Sequence, residues 1–110
     1  MRVDIQGSDI SEVPTLRRHI EQRALFELAR YGERIDVVRI RISERPSMSD
    51  WRYHCGIAVT VMHADGSSGQ VLARGQDNNV HRVVESVLER AGRLAGGEIV
   101  RGQETELARA

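Results

Sequence analysis

One hundred and ten residues, 40% of them hydrophobic and 29% charged, suit one globular domain with a single core and are too apolar for a disordered chain. Sixteen basic and sixteen acidic residues leave no net charge at pH 7, and every basic residue is arginine. No apolar run approaches the roughly 18 residues that span a membrane, and polar residues interrupt the opening Met1-Arg2-Val3-Asp4-Ile5 before any signal-peptide pattern forms. The expected location is the cytoplasm. The lone Cys55 suits that compartment, since it allows neither an internal disulfide nor a four-cysteine zinc site.

In chain order, Val3 and Ile5 alternate with polar neighbours until Gly7-Ser8-Asp9, which predicts a short first strand. From Pro14 to Tyr31 the apolar residues Leu16, Ile20, Ala24, Leu28 and Tyr31 recur every three or four positions. That is one stripe of an amphipathic helix, with proline tolerated in its first turn and Gly32 as its stop. Val38, Ile40 and Ile42 alternate with Val37, Arg39 and Arg41, a strand with one buried and one wet face. A polar loop is expected over Glu44 to Asp50, then a long strand from Trp51 to Met62 with Tyr53, Cys55, Ile57, Val59 and Val61 on one side. Ala64-Asp65-Gly66-Ser67-Ser68-Gly69 reads as a hairpin turn and Gln70 to Arg74 as a shorter fourth strand. Gly75 to Asn79 should break that strand and cap a helix whose stripe is Val80, Val83, Val84, Val87, Leu88, Ala91 and Leu94. Gly96-Gly97 is expected to end this helix, placing the domain at 1–97 and a flexible polar tail at 98–110. The order β-α-β-β-β-α predicts an α+β fold, a four-stranded mixed sheet with both helices packed on one face. Strands one and two should be parallel and the others antiparallel.

No reaction class emerges from the side chains. No two of His19, His54, His63 and His81 stand at the i+4 spacing that would build a zinc face on a helix. His54 and Cys55 are neighbours on a strand and point to opposite faces, so they cannot share a proton, and Cys55 reads as a small buried hydrophobe. Ser47, Ser49, Ser67 and Ser68 lie in loops without a nucleophile elbow, and Glu85 and Glu89 read as a solvated helix face. The expectation is a protein without catalytic activity, cofactor, metal or small-molecule substrate. What remains is arginine. The first helix carries Arg17, Arg18, Arg23 and Arg30 with Arg34 just beyond, and the second carries Arg82, Arg90 and Arg93. Side by side, the two helices would offer guanidinium forks that match phosphate oxygens in pairs, although Glu21, Glu27, Glu85 and Glu89 share the same helices.

The ordered motifs resemble the short ribosome hibernation promoting factor and ribosome-associated inhibitor family, also known as the sigma-54 modulation family. Met1-Arg2-Val3-Asp4-Ile5-Gln6-Gly7 is similar to its first strand and glycine, Leu16-Arg17 to its Leu-Arg pair, and Tyr31-Gly32-Glu33-Arg34-Ile35 to its helix exit. Ala73-Arg74-Gly75-Gln76-Asp77 resembles its segment before the last helix. With Asn78-Asn79 as an insertion, Val84-Glu85, Glu89-Arg90 and Arg93 fall on family positions. The resemblance spans about residues 1 to 95 and implies a fold related to double-stranded RNA-binding domains. It further implies a place on the small ribosomal subunit between head and body, contacts to ribosomal RNA, and silencing of translation in starved cells. On that basis Arg17, Arg23, Arg34, Arg90 and Arg93 are the expected RNA contacts, joined by Arg74 and Arg82 through proximity. This chain departs from the family in lacking lysine, in Glu27, in a longer loop containing Trp51, and in Gly96-Gly97, which is expected to cut short the basic extension of the last helix. The alternative is a protein-protein module on the same fold, in which Trp51 and an open sheet edge meet another chain or a second copy in a weak homodimer.

Overall fold

Strict alternation on the strands decides which side of the sheet is wet, and two apolar helical stripes cover the other. The computed structural model describes residues 1–7, 14–44 and 50–109, with side chains as far as 104. Its elements are β1 (Arg2–Gln6), α1 (Pro14–Leu28), β2 (Ile35–Glu44), β3 (Tyr53–Met62), β4 (Ser68–Asp77) and α2 (Val80–Arg109), and the sheet runs in the order β1-β2-β3-β4. β1 is parallel to β2, and β2-β3 and β3-β4 are antiparallel, as the element order requires. The α+β arrangement expected from the sequence is the one found.

Register makes the core. Ile5, Ile40, Ile57 and Ala73 form one row across all four strands, and Val38, Val59 and Val71 lie in the next. All of them are buried, with Ile20, Ala24 and Leu28 of α1 and Val83, Val84, Val87, Leu88, Ala91 and Ala95 of α2 laid against them. No aromatic ring is buried among the described residues, so the core is aliphatic, with branched side chains on the strands where they pack well. Cys55 sits in this layer at 3% exposure, and burial pushes its thiol up to about 12. Its thiolate is therefore scarce at neutral pH. A thiol reagent such as Ellman's is expected to leave the native protein unlabelled at pH 8 and to react only on unfolding in denaturant. Rapid native labelling would show that Cys55 is reachable.

Several expected boundaries move. α1 ends at Leu28 rather than Tyr31; the chain tightens into 3₁₀ turns over Ala29–Arg34, interrupted by Gly32 at φ 58°. β3 opens at Tyr53 rather than Trp51, although Arg52 is tied back by Glu44 Oε1 at 2.6 Å and by Asn78 Oδ1 on its backbone N–H at 2.9 Å. Glu44 also holds the Arg52 guanidinium above its ordinary pKa, by hydrogen bond and by charge. β4 continues through Gly75 to Asp77, because a Cβ at Gly75 would lie 2.7 Å from Val87 Cγ2 and glycine is what lets α2 lie this close. The turn between β3 and β4 and the cap of α2 follow expectation. Gly66 N–H donates to His63 O at 3.0 Å, Ser67 N–H to Asp65 Oδ1 at 2.9 Å, and Arg82 N–H to Asn79 Oδ1 at 3.0 Å. Of the expected Glu44–Asp50 loop, residues 45–49 lie outside the described set, as do Ser8 and Asp9.

The largest correction is at Gly96-Gly97, where α2 does not stop. It is helical from Val80 to Arg109, so the boundary at 97 is not an end of structure and the tail expected at 98–110 is helical backbone through 109. Each mid-helix glycine costs about 1 kcal/mol against alanine. Close approach offsets that cost here. The Tyr31 hydroxyl donates to Gly92 O at 2.8 Å, and a Cβ on Gly96 would lie 2.7 Å from the same hydroxyl oxygen. Further along, Ile99 packs on the core and Glu98 Oε1 meets His63 Nε2 at 3.2 Å, so the turns beyond the glycine pair are docked against the β3-β4 end of the sheet.

Candidate nucleic-acid interface

Paired contacts set α1 beside α2. His19 meets His81 edge to face at 5.0 Å, Arg23 Nε lies 3.8 Å from Glu85 Oε1, and Tyr31 reaches Gly92. The numbers rise together along both helices, so the two run in the same direction. The expected side-by-side packing is present. The seam it creates, however, is ionically mixed.

Of the seven arginines expected at an RNA surface, three are held by carboxylates. Arg17 pairs with Glu21 at 3.4 Å and Arg93 with Glu89 at 3.3 Å, both one turn apart on a helix. Arg23 sits between the helices, 3.3 Å from Glu27 and 3.8 Å from Glu85. Arg90, exposed on α2, donates to the backbone carbonyl of Arg74 on the outer edge of β4. Arg34, half-buried at the end of the 3₁₀ segment, and Arg82, exposed on the first turn of α2, have no ionic partner among the described residues. Over 14–34 and 80–104 the helical layer carries nine arginines against seven glutamates. One continuous cationic patch across the two helices is not what the geometry makes. Surface pairs of this kind contribute about 0–1 kcal/mol and exchange readily for a phosphate, so these arginines are compensated without being locked away.

Arg74, the seventh, lies on the opposite side of the molecule. Its strand position faces away from the helices, and the register puts it in a row with Arg41 and Gly56, in the order Arg41–Gly56–Arg74 across β2, β3 and β4. The adjacent row is Arg39–Ala58–Leu72, with Asp4 of β1 next to Arg39 at its end. The residues of these rows on β2, β3 and β4 rim a shallow groove of about 820 Å³ on the open face of the sheet, with His54 at one end and no carboxylate in its lining. Arg41 donates to Gln6 Oε1 at 3.4 Å, while the guanidinium groups of Arg39 and Arg74 have no partner among the described residues. The outer strand positions hold Arg2, Arg39, Arg41 and Arg74 against one carboxylate, Asp4, which Arg2 holds at 2.9 Å. Asp36, the extra residue of the bulge that opens β2, lies five positions before Arg41. Arg39 and Arg41 belong in the sequence to the wet side of a strand and are not among the expected site residues. Their alternation, together with a glycine opposite, was the available signal.

Trp51 remains 41% exposed, beside the start of β3. No group of three or more His, Cys, Asp or Glu converges as a metal site among the described residues, and no described helix is long and apolar enough to cross a membrane.

No family model matches the chain, and no curated protein matches its sequence. Solved structures do match. A ribosomal subunit interface protein from Coxiella burnetii is similar at TM-score 0.68 and 13% identity, over 89% of this chain and 97% of that one. The Protein Y N-terminal domain of Thermus thermophilus is similar at TM-score 0.66 and 16% identity, over 86% of this chain and 96% of that one. At these identities the likeness is one of fold, and it runs the length of both neighbours. It is the fold that the family resemblance implied.

Proposed function

We propose that this chain binds the small ribosomal subunit through ribosomal RNA and keeps idle ribosomes silent under stress. The observation that carries the reading is the end-to-end match of fold to a protein described as a ribosomal subunit interface protein. It rests also on the motif order from Met1-Arg2-Val3 to Arg93, which resembles the hibernation family independently of any coordinates. In this role the chain acts in the cytoplasm, by occupying a site rather than by catalysis, and needs neither cofactor nor small-molecule substrate. Arg34 and Arg82 are the helical-layer cations ready for phosphate, and Arg17 and Arg93 join them by exchanging an exposed glutamate for it.

The test is co-sedimentation with small subunits from stationary-phase lysate across a salt series. Binding is expected at low salt and should fall steeply as salt rises, because each phosphate contact releases counterions. Protein left at the top of the gradient at low salt would overturn the reading. Arg82→Glu with Arg93→Glu is expected to weaken association by tenfold or more, on the order of 1.4 kcal/mol, with an unchanged melting temperature. The neutralised helix seam favours one second reading, a protein-protein module on the same fold, which predicts a stable complex indifferent to salt and to those two reversals.

A further inference from the structure

We infer that the open face of the sheet, on the side away from both helices, is a binding groove for the backbone of single-stranded RNA. The inference takes its class of polymer from the ribosomal-RNA reading and assigns it a surface of which that reading uses Arg74 alone.

Three features of the groove point to this occupant. First, its charge is one-sided. Arg39, Arg41 and Arg74 line it with His54 and without a carboxylate, in a chain whose net charge is zero. A neutral protein that concentrates guanidinium groups on one concave surface favours a polyanion there, and arginine forks bind phosphate oxygens in pairs and stack on bases.

Second, the width fits one strand. Arg41 and Arg74 stand on β2 and β4, two strand spacings apart, or roughly 10 Å, and between them lies Gly56. A Cβ built on Gly56 would meet nothing within 4 Å. The glycine therefore does not relieve crowding inside the protein. It leaves a trough between two cations, with Ala58 as the small residue beside it on β3. Leu72, 56% exposed on the neighbouring row, adds an apolar patch against which a base can lie.

Third, two of the three guanidinium groups of the groove are left for a ligand, while Arg41 donates to Gln6 Oε1 at 3.4 Å. The guanidinium groups of Arg39 and Arg74 have no partner among the described residues, and His54 Nε2 is shielded from solvent without a hydrogen-bond partner. On the helical layer, by contrast, Arg17, Arg23 and Arg93 each have a glutamate within 3.4 Å.

Binding of a short, dye-labelled, mixed-sequence single-stranded RNA, followed by fluorescence anisotropy over a salt series, tests the groove. Wild-type protein should bind, and Arg41→Gln with Arg74→Gln should weaken binding by at least about tenfold and lower the salt slope by about 1.4. Both side chains are exposed, so the fold should survive, as circular dichroism would verify. Gly56→Glu provides an independent arm. It places a carboxylate in the trough without a clash, so it should abolish RNA binding while melting no lower than wild type. No RNA binding by wild type, full binding by the sheet variants, equal affinity for an RNA duplex, or equal displacement by polyglutamate would each overturn the inference. The same variants in ribosome co-sedimentation separate the two readings. If the sheet variants bind neither less RNA nor fewer ribosomes while wild type still sediments, the groove is wrong and the ribosomal role stands. If wild type binds RNA through the groove but ignores ribosomes, the reverse holds.

Discussion

Leu88→Ala is expected to lower the unfolding free energy by about 2–5 kcal/mol, a large share of the roughly 5–15 kcal/mol available to a domain of this size. Leu88 is fully buried, on the stripe that Val84, Ala91 and Ala95 share, and α2 is the element that covers both β3 and β4. The core around it is aliphatic and tightly registered, so the methyl groups removed have no mobile neighbour to replace them, and a cavity remains. Urea unfolding should show a lower midpoint at an unchanged slope, and the melting temperature should fall by about 4–8 °C for each kcal/mol lost. A loss below about 1 kcal/mol would mean that α2 is not the lid of the core. Cooperativity should survive, since nothing polar is exposed by the change.

Gly7→Val has the second largest expected effect, and it acts locally. A Cβ at Gly7 would fall on the backbone carbonyl oxygen of Ile42, which cannot rotate aside as a side chain would. β1 has only five residues and pairs with β2 alone, so it is the element that must give way. Overpacking of this kind costs about 1–3 kcal/mol. Hydrogen exchange should accelerate at the amides of β1 and its partners on β2, while β3, β4 and the middle of α2 keep their protection. Unchanged protection in β1 would show that the close approach at Gly7 does not hold the strand.

The strands were legible because each carries an unbroken alternation. Val38-Ile40-Ile42 and Cys55-Ile57-Val59-Val61 have one solution for their buried side, and a slip of one residue would turn every one of them to water. The helix stripes were legible for the same reason at their own period. Glycine was not. Gly75 and Gly96-Gly97 carry the local signal of a break, and only the approach of Val87 to the first and of Tyr31 to Gly96 shows why the elements continue. The site was legible in part. Glu89 and Arg93 could be paired from their spacing alone, and the same rule applied to Arg17-Glu21 and Arg23-Glu27 forecasts the neutralised helices. What spacing could not supply was Glu85 reaching across from the other helix, or the row that joins Arg41 to Arg74 from strands more than thirty residues apart.

Arg90 has a consequence for assembly. A sheet whose last strand is bare can grow by accepting another chain's strand, and β4 is such a border. The guanidinium of Arg90 already occupies the Arg74 carbonyl there. An incoming strand would have to evict a charged donor to pair at Arg74, so this position works against edge-to-edge pairing of copies. The sheet ends at four strands with a cationic latch on its boundary.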